Sequence, residues 1–301
     1  VFKLKKILIT GGSGFIGTNL IIKLKEKGYD IFNIDKVKSR LNIKTKIIDI
    51  TKTDFSFLDK ENFDYVIHLA ALTNYRMCSD AENAFNTNVN STFRFFNKLS
   101  EKNIKKIIFM SSIVVYSNNA KIPIKEESEL DIYHDNYSYT KGMDEKICDY
   151  FRNRFNMPIL TFRLSNIYGP HQEWRKYPNL IPQIISQAIL NKKIEVWNKE
   201  PIRDWIFVDD AVEAIINALE SNNNGIMNLG TGKGKSVGDI AKIISELSKA
   251  EIKYLNKKVS GPLKVICDIS KIKRELQWSP QTELKEGLKK TYEYYKKIIK
   301  S

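Results

Sequence analysis

Tyr137-Ser138-Tyr139-Thr140-Lys141 places a phenol four residues ahead of an ammonium. On a helix, residues four apart share a face, so this spacing brings the two side chains together. A phenol with its ordinary pKa of about 10 is a poor base at neutral pH. A neighbouring cation favours the phenolate and lowers that value. Such a pair suits proton transfer at an alcohol or ketone oxygen. Spacing alone does not single it out, because Tyr254/Lys258 and Tyr292/Lys296 repeat it. Position does. Only the first copy falls in the part of the chain where strands and helices alternate, shortly after a strand ending Met110-Ser111-Ser112. In a parallel sheet the carboxyl ends of the strands face the ligand. Ser112 is therefore expected to meet Tyr137 and bond the reacting oxygen.

A second constellation is Gly11-Gly12-Ser13-Gly14-Phe15-Ile16-Gly17, which fits both GxxGxxG and GxGxxG. It follows a β-branched run and opens an amphipathic one. Glycines there permit a tight turn, close backbone approach to a pyrophosphate, and close packing of helix on strand. The helix N-terminus offers unpaired N–H groups to the phosphates. Asp35 ends the next strand, about twenty residues on, where a carboxylate meets ribose hydroxyls. Gly230-Thr231-Gly232-Lys233-Gly234-Lys235-Ser236 looks like a P-loop, but GxxxxGK[ST] needs glycine where Leu229 stands. It reads as a glycine-rich turn capped by Ser236.

The elements that must position these residues alternate. Strands are expected at 6–10, 30–34, 46–50, 65–70, 106–110 and 159–164, with helices at 15–27, 81–101 and 137–155. This pattern predicts an α/β fold, a doubly wound parallel sheet of Rossmann type. Residues 1–165 would form the dinucleotide-binding domain, with 205–235 returning to the sheet through a helix at 209–221 and a strand at 225–230. After Asn166, prolines at 170, 178, 182 and 201 predict a loop-rich region. Residues 166–204 and 236–301 would make a smaller mixed domain, with helices at 237–248 and 283–299 around a strand near 265–268.

Composition agrees with a packed protein. Of 301 residues, 42% are hydrophobic and 28% charged, which excludes the disordered class. No apolar run reaches the length of a membrane span. Three isolated cysteines, Cys78, Cys148 and Cys267, give neither a disulfide framework nor a metal site. The expectation is a cytoplasmic protein with no metal and no membrane partner. The net charge of +14 is spread along the chain without a basic arm. It reads as a solvated surface that attracts anionic ligands rather than as a nucleic-acid groove.

Taken in order, the motifs resemble the extended short-chain dehydrogenase/reductase family, in particular its NAD-dependent epimerase/dehydratase group acting on nucleotide sugars. The resemblance covers Thr10–Gly17, Asp49-Ile50, His68–Ala71, Asn88–Thr92, Ser111–Tyr116, Tyr137–Lys141, Arg163–Pro170, Arg203–Asp210, Asn228–Gly232 and Asp268–Lys271. It implies NAD as cofactor, a nucleotide-diphosphate sugar as substrate, a role in carbohydrate biosynthesis, and a homodimer through helices 82–101 and 138–155. It also implies roles. Gly11, Gly14, Phe15, Ile16 and Gly17 would hold the pyrophosphate, Asp35 the ribose, and Asp49 with Ile50 the adenine. Leu69, Ala70 and Ala71 would line the cofactor's path. Ser112, Tyr137 and Lys141 would be catalytic. Asn166, Asn179 and Arg203 would contact the sugar nucleotide, and Trp197 either its base or the core. His68 would pack beneath the loop.

Two departures stand out. Ser117 replaces the family's usual glycine, and Lys258–Gly261 replaces an Arg-Pro-Gly-Asp run. NAD is favoured over NADP because Asp35 repels a 2′-phosphate, against the nearby Lys36, Lys38 and Arg40. The family's dehydratases carry Asp-Glu after the catalytic hydroxyl, where this chain has Ile113 and Val114. Elimination therefore favours a 4-epimerase, with a 4-keto-sugar reductase second and a dehydratase third. A non-catalytic nucleotide sensor on the same fold is the reading from another class.

Overall fold

The computed structural model describes residues 4–39, 41, 43–258 and 261–300; Arg40, Val259 and Ser260 lie outside the described residues. In chain order the elements begin β1 (Lys6–Thr10), α1 (Phe15–Glu26), β2 (Asp30–Asp35), β3 (Thr45–Ile47), β4 (Tyr65–His68), α2 (Ala81–Ala84), α3 (Ser91–Leu99), β5 (Lys106–Ser112), α4 (Asn136–Phe155) and β6 (Ile159–Leu164). Next come β7 (Asn166–Tyr168), α5 (Leu180–Asn191), β8 (Lys193–Val196), β9 (Ile202–Phe207), α6 (Val208–Leu219), β10 (Gly225–Leu229), β11 (Gly234–Ser236), α7 (Val237–Ser248), β12 (Glu251–Tyr254), β13 (Lys264–Val265), α8 (Ser270–Leu276) and α9 (Leu284–Lys300). Two compact units result. The first takes the chain up to 117, with 129–164 and 212–227; the second takes 118–128, 165–211 and 228 onward. Of the stretch 205–235, then, residues 212–227 belong with the first unit.

In the first unit a seven-stranded sheet runs β10-β6-β5-β4-β1-β2-β3. The pairings from β3 through to β6 are parallel. β4, β5 and β6 are buried along their whole length and β1 nearly so. That is why they read as continuous apolar runs rather than alternating ones. β1 pairs with β2 on one side and β4 on the other, so the strand order reverses there. Such a switch point leaves a crevice at the strands' carboxyl ends.

The helix expected at 81–101 is three pieces. α2 and α3 flank a π-helical turn, Phe85–Asn90, which carries Asn88 fully into the interior. Single π-turns inside helices cluster at functional sites. The third strand is short, only Thr45–Ile47 joining the ladder.

The second unit keeps loops at Pro170, Pro178 and Pro201 but adds a helix that the sequence did not predict. α5 occupies 180–191 even though Pro182 lies within it. Pro182 is its third residue, where an N–H has no acceptor in the helix, so proline costs little. β9 pairs with β11, β13 and β7, and α5, α7 and α9 pack together. The 265–268 strand shrinks to β13, with Cys267 only bridging Ile124. The glycine-rich turn at 230–236 is no P-loop. Asp204 is fully buried and accepts from the Thr231 and Gly232 N–H groups at 2.8 and 3.0 Å. Ser236 caps α7 in a reciprocal capping box with Asp239. Among the described residues no helix is long and apolar enough to cross a membrane.

Candidate active site

The glycine loop leaves β1 and enters α1 without a side-chain cap. Gly11 has φ +73°, and a Cβ there would come within 2.6 Å of the Ala70 nitrogen. A Cβ on Gly17 would strike the Gly12 backbone and come within 2.6 Å of the Gly11 carbonyl oxygen. These two glycines are demanded by the protein's own packing. Gly14 is different: its Cβ would meet only the Gly11 carbonyl oxygen, at 3.2 Å. The fold's own demand for glycine is weaker there than at Gly11 and Gly17, and a phosphate approaching the backbone adds to it. The first N–H groups of α1 have no acceptor within the helix. Asp35, at the end of β2, accepts from the Ser13 N–H of the loop at 2.9 Å and from the Val37 N–H at 3.2 Å. The loop, a free helix start and a carboxylate beside them fit a dinucleotide.

Around that loop, the Leu69 N–H donates to the Thr10 carbonyl, and the Ala70 N–H to Thr10 Oγ1. Leu69, Ala70 and Ala71 are half-buried beyond β4. Asp49 accepts from both the N–H and Oγ1 of Thr51, which holds its carboxyl below the ordinary range. Ile50 is buried in the core beside it. His68 is packed as expected. Its Nδ1 lies 2.6 Å from Thr10 Oγ1 and its Nε2 3.0 Å from Thr92 Oγ1. Burial pushes its pKa down to about 3, so the ring is neutral.

The Ser-Tyr-Lys group assembles at the carboxyl end of β5. Asp135 caps α4 with Ser138 in a reciprocal box, which starts the helix one residue before Tyr137. Ser112, at the end of β5, lies close enough to the Tyr137 hydroxyl to favour its ionisation. Lys141 follows one turn on and is only 3% exposed. Its ammonium donates to the Met110 carbonyl at 3.1 Å and to Asp144 Oδ2 at 3.4 Å. One expectation is not met. Tyr137 is not lowered: burial pushes it up to about 12, with Ser112 opposing. The cation that was to depress it faces a carboxylate.

Several residues that position the trio escaped the sequence reading. Arg163 on β6 donates to both oxygens of Glu145, at 2.9 and 2.7 Å, and Ser111 Oγ donates to Glu145 at 2.6 Å. This buried pair ties α4 to β5 and β6. Asn88 receives the Leu72 N–H at 2.8 Å and donates to Thr140 at 2.9 Å, fixing the loop after β4 to α4. Arg163, a charge on the otherwise apolar strand β6, was the available signal, because buried charges are paired.

In the second unit, Asn166 lies at the start of β7, and its Oδ1 is buried with no partner. Asn179 precedes α5 without capping it and is exposed. Arg203 is half-buried and donates to the Ile202 carbonyl at 2.9 Å; burial lowers its pKa. Trp197 is 56% exposed, with the Lys257 ammonium 5.1 Å from its ring centre, so it is not a core tryptophan. Of the other Tyr/Lys pairs, Tyr254 ends a strand, so the helical argument does not reach Lys258. Tyr292 lies inside α9, and its Lys296 is exposed and paired with Glu293.

Residues 7–230 match the family described as NAD dependent epimerase/dehydratase. The chain belongs to that family. This epimerase/dehydratase is an enzyme, and its cofactor is NAD. It is 29% identical over 304 residues to a putative UDP-glucose 4-epimerase of Methanocaldococcus jannaschii, covering 96% of this chain and 98% of that protein. It is 28% identical to human dTDP-D-glucose 4,6-dehydratase over 97% of this chain and 90% of that one. The crystal structure of UDP-glucose 4-epimerase with UDP-glucose from Thermotoga maritima superimposes with a TM-score of 0.92 at 28% identity, over 98% of this chain and 99% of the other.

Proposed function

We propose that this family member is a nucleotide-sugar 4-epimerase working through Ser112, Tyr137 and Lys141. The observation that carries the reading is the apolar turn directly after the catalytic serine. Ser112 caps this short turn, Ile113–Val115, whose side chains are hydrocarbon. Bound NAD supplies a hydride acceptor that later returns the hydride. Tyr137 takes the proton from the C4 hydroxyl and gives it back to the ketone oxygen, while Ser112 holds that oxygen. Lys141 stabilises the phenolate by its charge. Removing water across C5 and C6 needs a base and an acid near the serine. Ile113 and Val114 can act as neither, and a carboxylate lodged among them would meet a desolvation cost.

We assign Gly11, Gly14, Phe15, Ile16 and Gly17 to the pyrophosphate, Asp35 to the ribose and Asp49 with Ile50 to the adenine. Leu69, Ala70 and Ala71 line the cofactor's path. Arg203 takes a substrate phosphate, Asn166 and Asn179 the sugar, and Trp197 the base. The free Asn166 Oδ1 and the exposed Trp197 ring favour these assignments. A homodimer is favoured by the exposed aromatic cluster of Phe93, Tyr150 and Phe155 on α3 and α4. Incubation with UDP-hexoses and catalytic NAD tests the reaction. Two C4 epimers of unchanged mass are expected. Unchanged hexoses, with NADH consumed one-for-one by a 4-keto sugar, would mark a reductase instead.

A further inference from the structure

Asp144 lies three residues after Lys141 on α4 and is 1% exposed. Its Oδ2 meets the Lys141 ammonium at 3.4 Å, and its Oδ1 is buried with no partner. The next residue, Glu145, is fully engaged by Arg163 and Ser111, so Asp144 is not needed to balance Arg163. A buried carboxylate with one oxygen unpaired is costly, and protonation relieves that cost. We propose that Asp144 is a positioning residue for Lys141, whose carboxyl, by gaining or losing a proton, sets how much of the lysine charge reaches Tyr137. The proposal rests on Tyr137 being the proton carrier.

The surroundings bear this out. On α4 the groups facing Asp144 are Lys141, Glu145, Tyr137 and Cys148. Cys78, in the segment before α2, feels it too, and burial holds that thiol up at about 11. His68 on β4 is neutral, and Arg163 on β6 is held by Glu145. The turn Ile113–Val115 and the stretch Phe85–Thr92 bring no titratable side chain. Burial raises the Asp144 carboxyl to about 7 against the pull of Lys141. When ionised, Asp144 pairs with Lys141 and pushes Tyr137 up. When protonated, it leaves the ammonium unopposed.

Two readouts test this, neither needing the sugar. The first is melting of the apoprotein between about pH 5 and 8.5. The folded pKa of Asp144 lies above its unfolded value of about 3.9. Its stability contribution is therefore present at low pH and is lost as pH rises through 7. Asp144→Asn should gain on the wild type by about 2 °C or more across that range. The second is the Tyr137 phenolate in saturating NAD. It is read as near-ultraviolet difference absorbance between each protein and its Tyr137→Phe counterpart. Its midpoint should fall by about one pH unit in Asp144→Asn and return in Asp144→Glu. Should Asp144→Asn not fold, Asp144→Ser takes its place in both comparisons. Parallel melts, equal midpoints, or no phenolate signal in either protein overturns the proposal. Retained turnover in Tyr137→Phe instead overturns the reading beneath it.

Discussion

The start of α4 and the middle of α9 carry the same tyrosine-to-lysine spacing on the same kind of helix, yet they differ in everything that makes chemistry. Lys141 is buried, held by a backbone carbonyl and a buried carboxylate. Lys296 keeps 43% of its side chain exposed, pairs with Glu293 at 3.8 Å and lies 5.9 Å from the Tyr292 ring centre. Tyr137 lies beside a serine at a strand end that favours its ionisation; Tyr292 is simply packed in the core. Helical periodicity brings a phenol and an ammonium together in both places. Only at the end of β5 does desolvation make their charges matter, because water screens the exposed pair.

The comparison breaks first at the hydroxyl. Tyr137→Phe should cost about 10²–10⁴ in turnover and leave NADH affinity, followed by fluorescence titration, within about twofold, or about 0.4 kcal/mol. Next comes the buried pair beneath α4. Glu145→Gln leaves Arg163 without its counter-charge and should destabilise by about 3 kcal/mol in denaturant unfolding. Glu293→Gln, at the exposed pair of α9, should change stability by less than about 0.5 kcal/mol. Gly14→Ala should weaken NAD about tenfold, or about 1.4 kcal/mol, and lower the melting temperature less than Gly17→Ala, since its Cβ meets only the Gly11 carbonyl oxygen, at 3.2 Å. Smallest of all, Tyr292→Phe should leave turnover unaltered.

Much of this was legible in the sequence, for physical reasons. Buried parallel strands such as Lys6–Thr10 and Ile159–Leu164 are short β-branched runs, and α4 is announced by its spacing. α5 was not legible, because Pro178 and Pro182 look like breakers unless the helix start is already known. The break in the 81–101 helix rests on Asn88 bonding Leu72 and Thr140, and no local pattern reports that. The trio and the glycine loop were readable because both depend on spacing within one or two elements. Asp144 was not, since on a helical wheel it passes for a surface acid, and only its burial against Lys141 distinguishes it. The expected lowering of Tyr137 failed because spacing predicts that a cation is near, not how deeply the phenol is buried, and burial is the larger effect.

The central claim is that the α4 copy carries a reversible oxidation at C4, with nothing beside Ser112 to expel water. UDP-glucose deuterated at C4 tests it most directly, with products read by proton NMR and mass spectrometry. The account predicts the C4 epimer, unchanged in mass, with deuterium still on C4. Deuterium recovered at C6 of a product lighter by one water would contradict it.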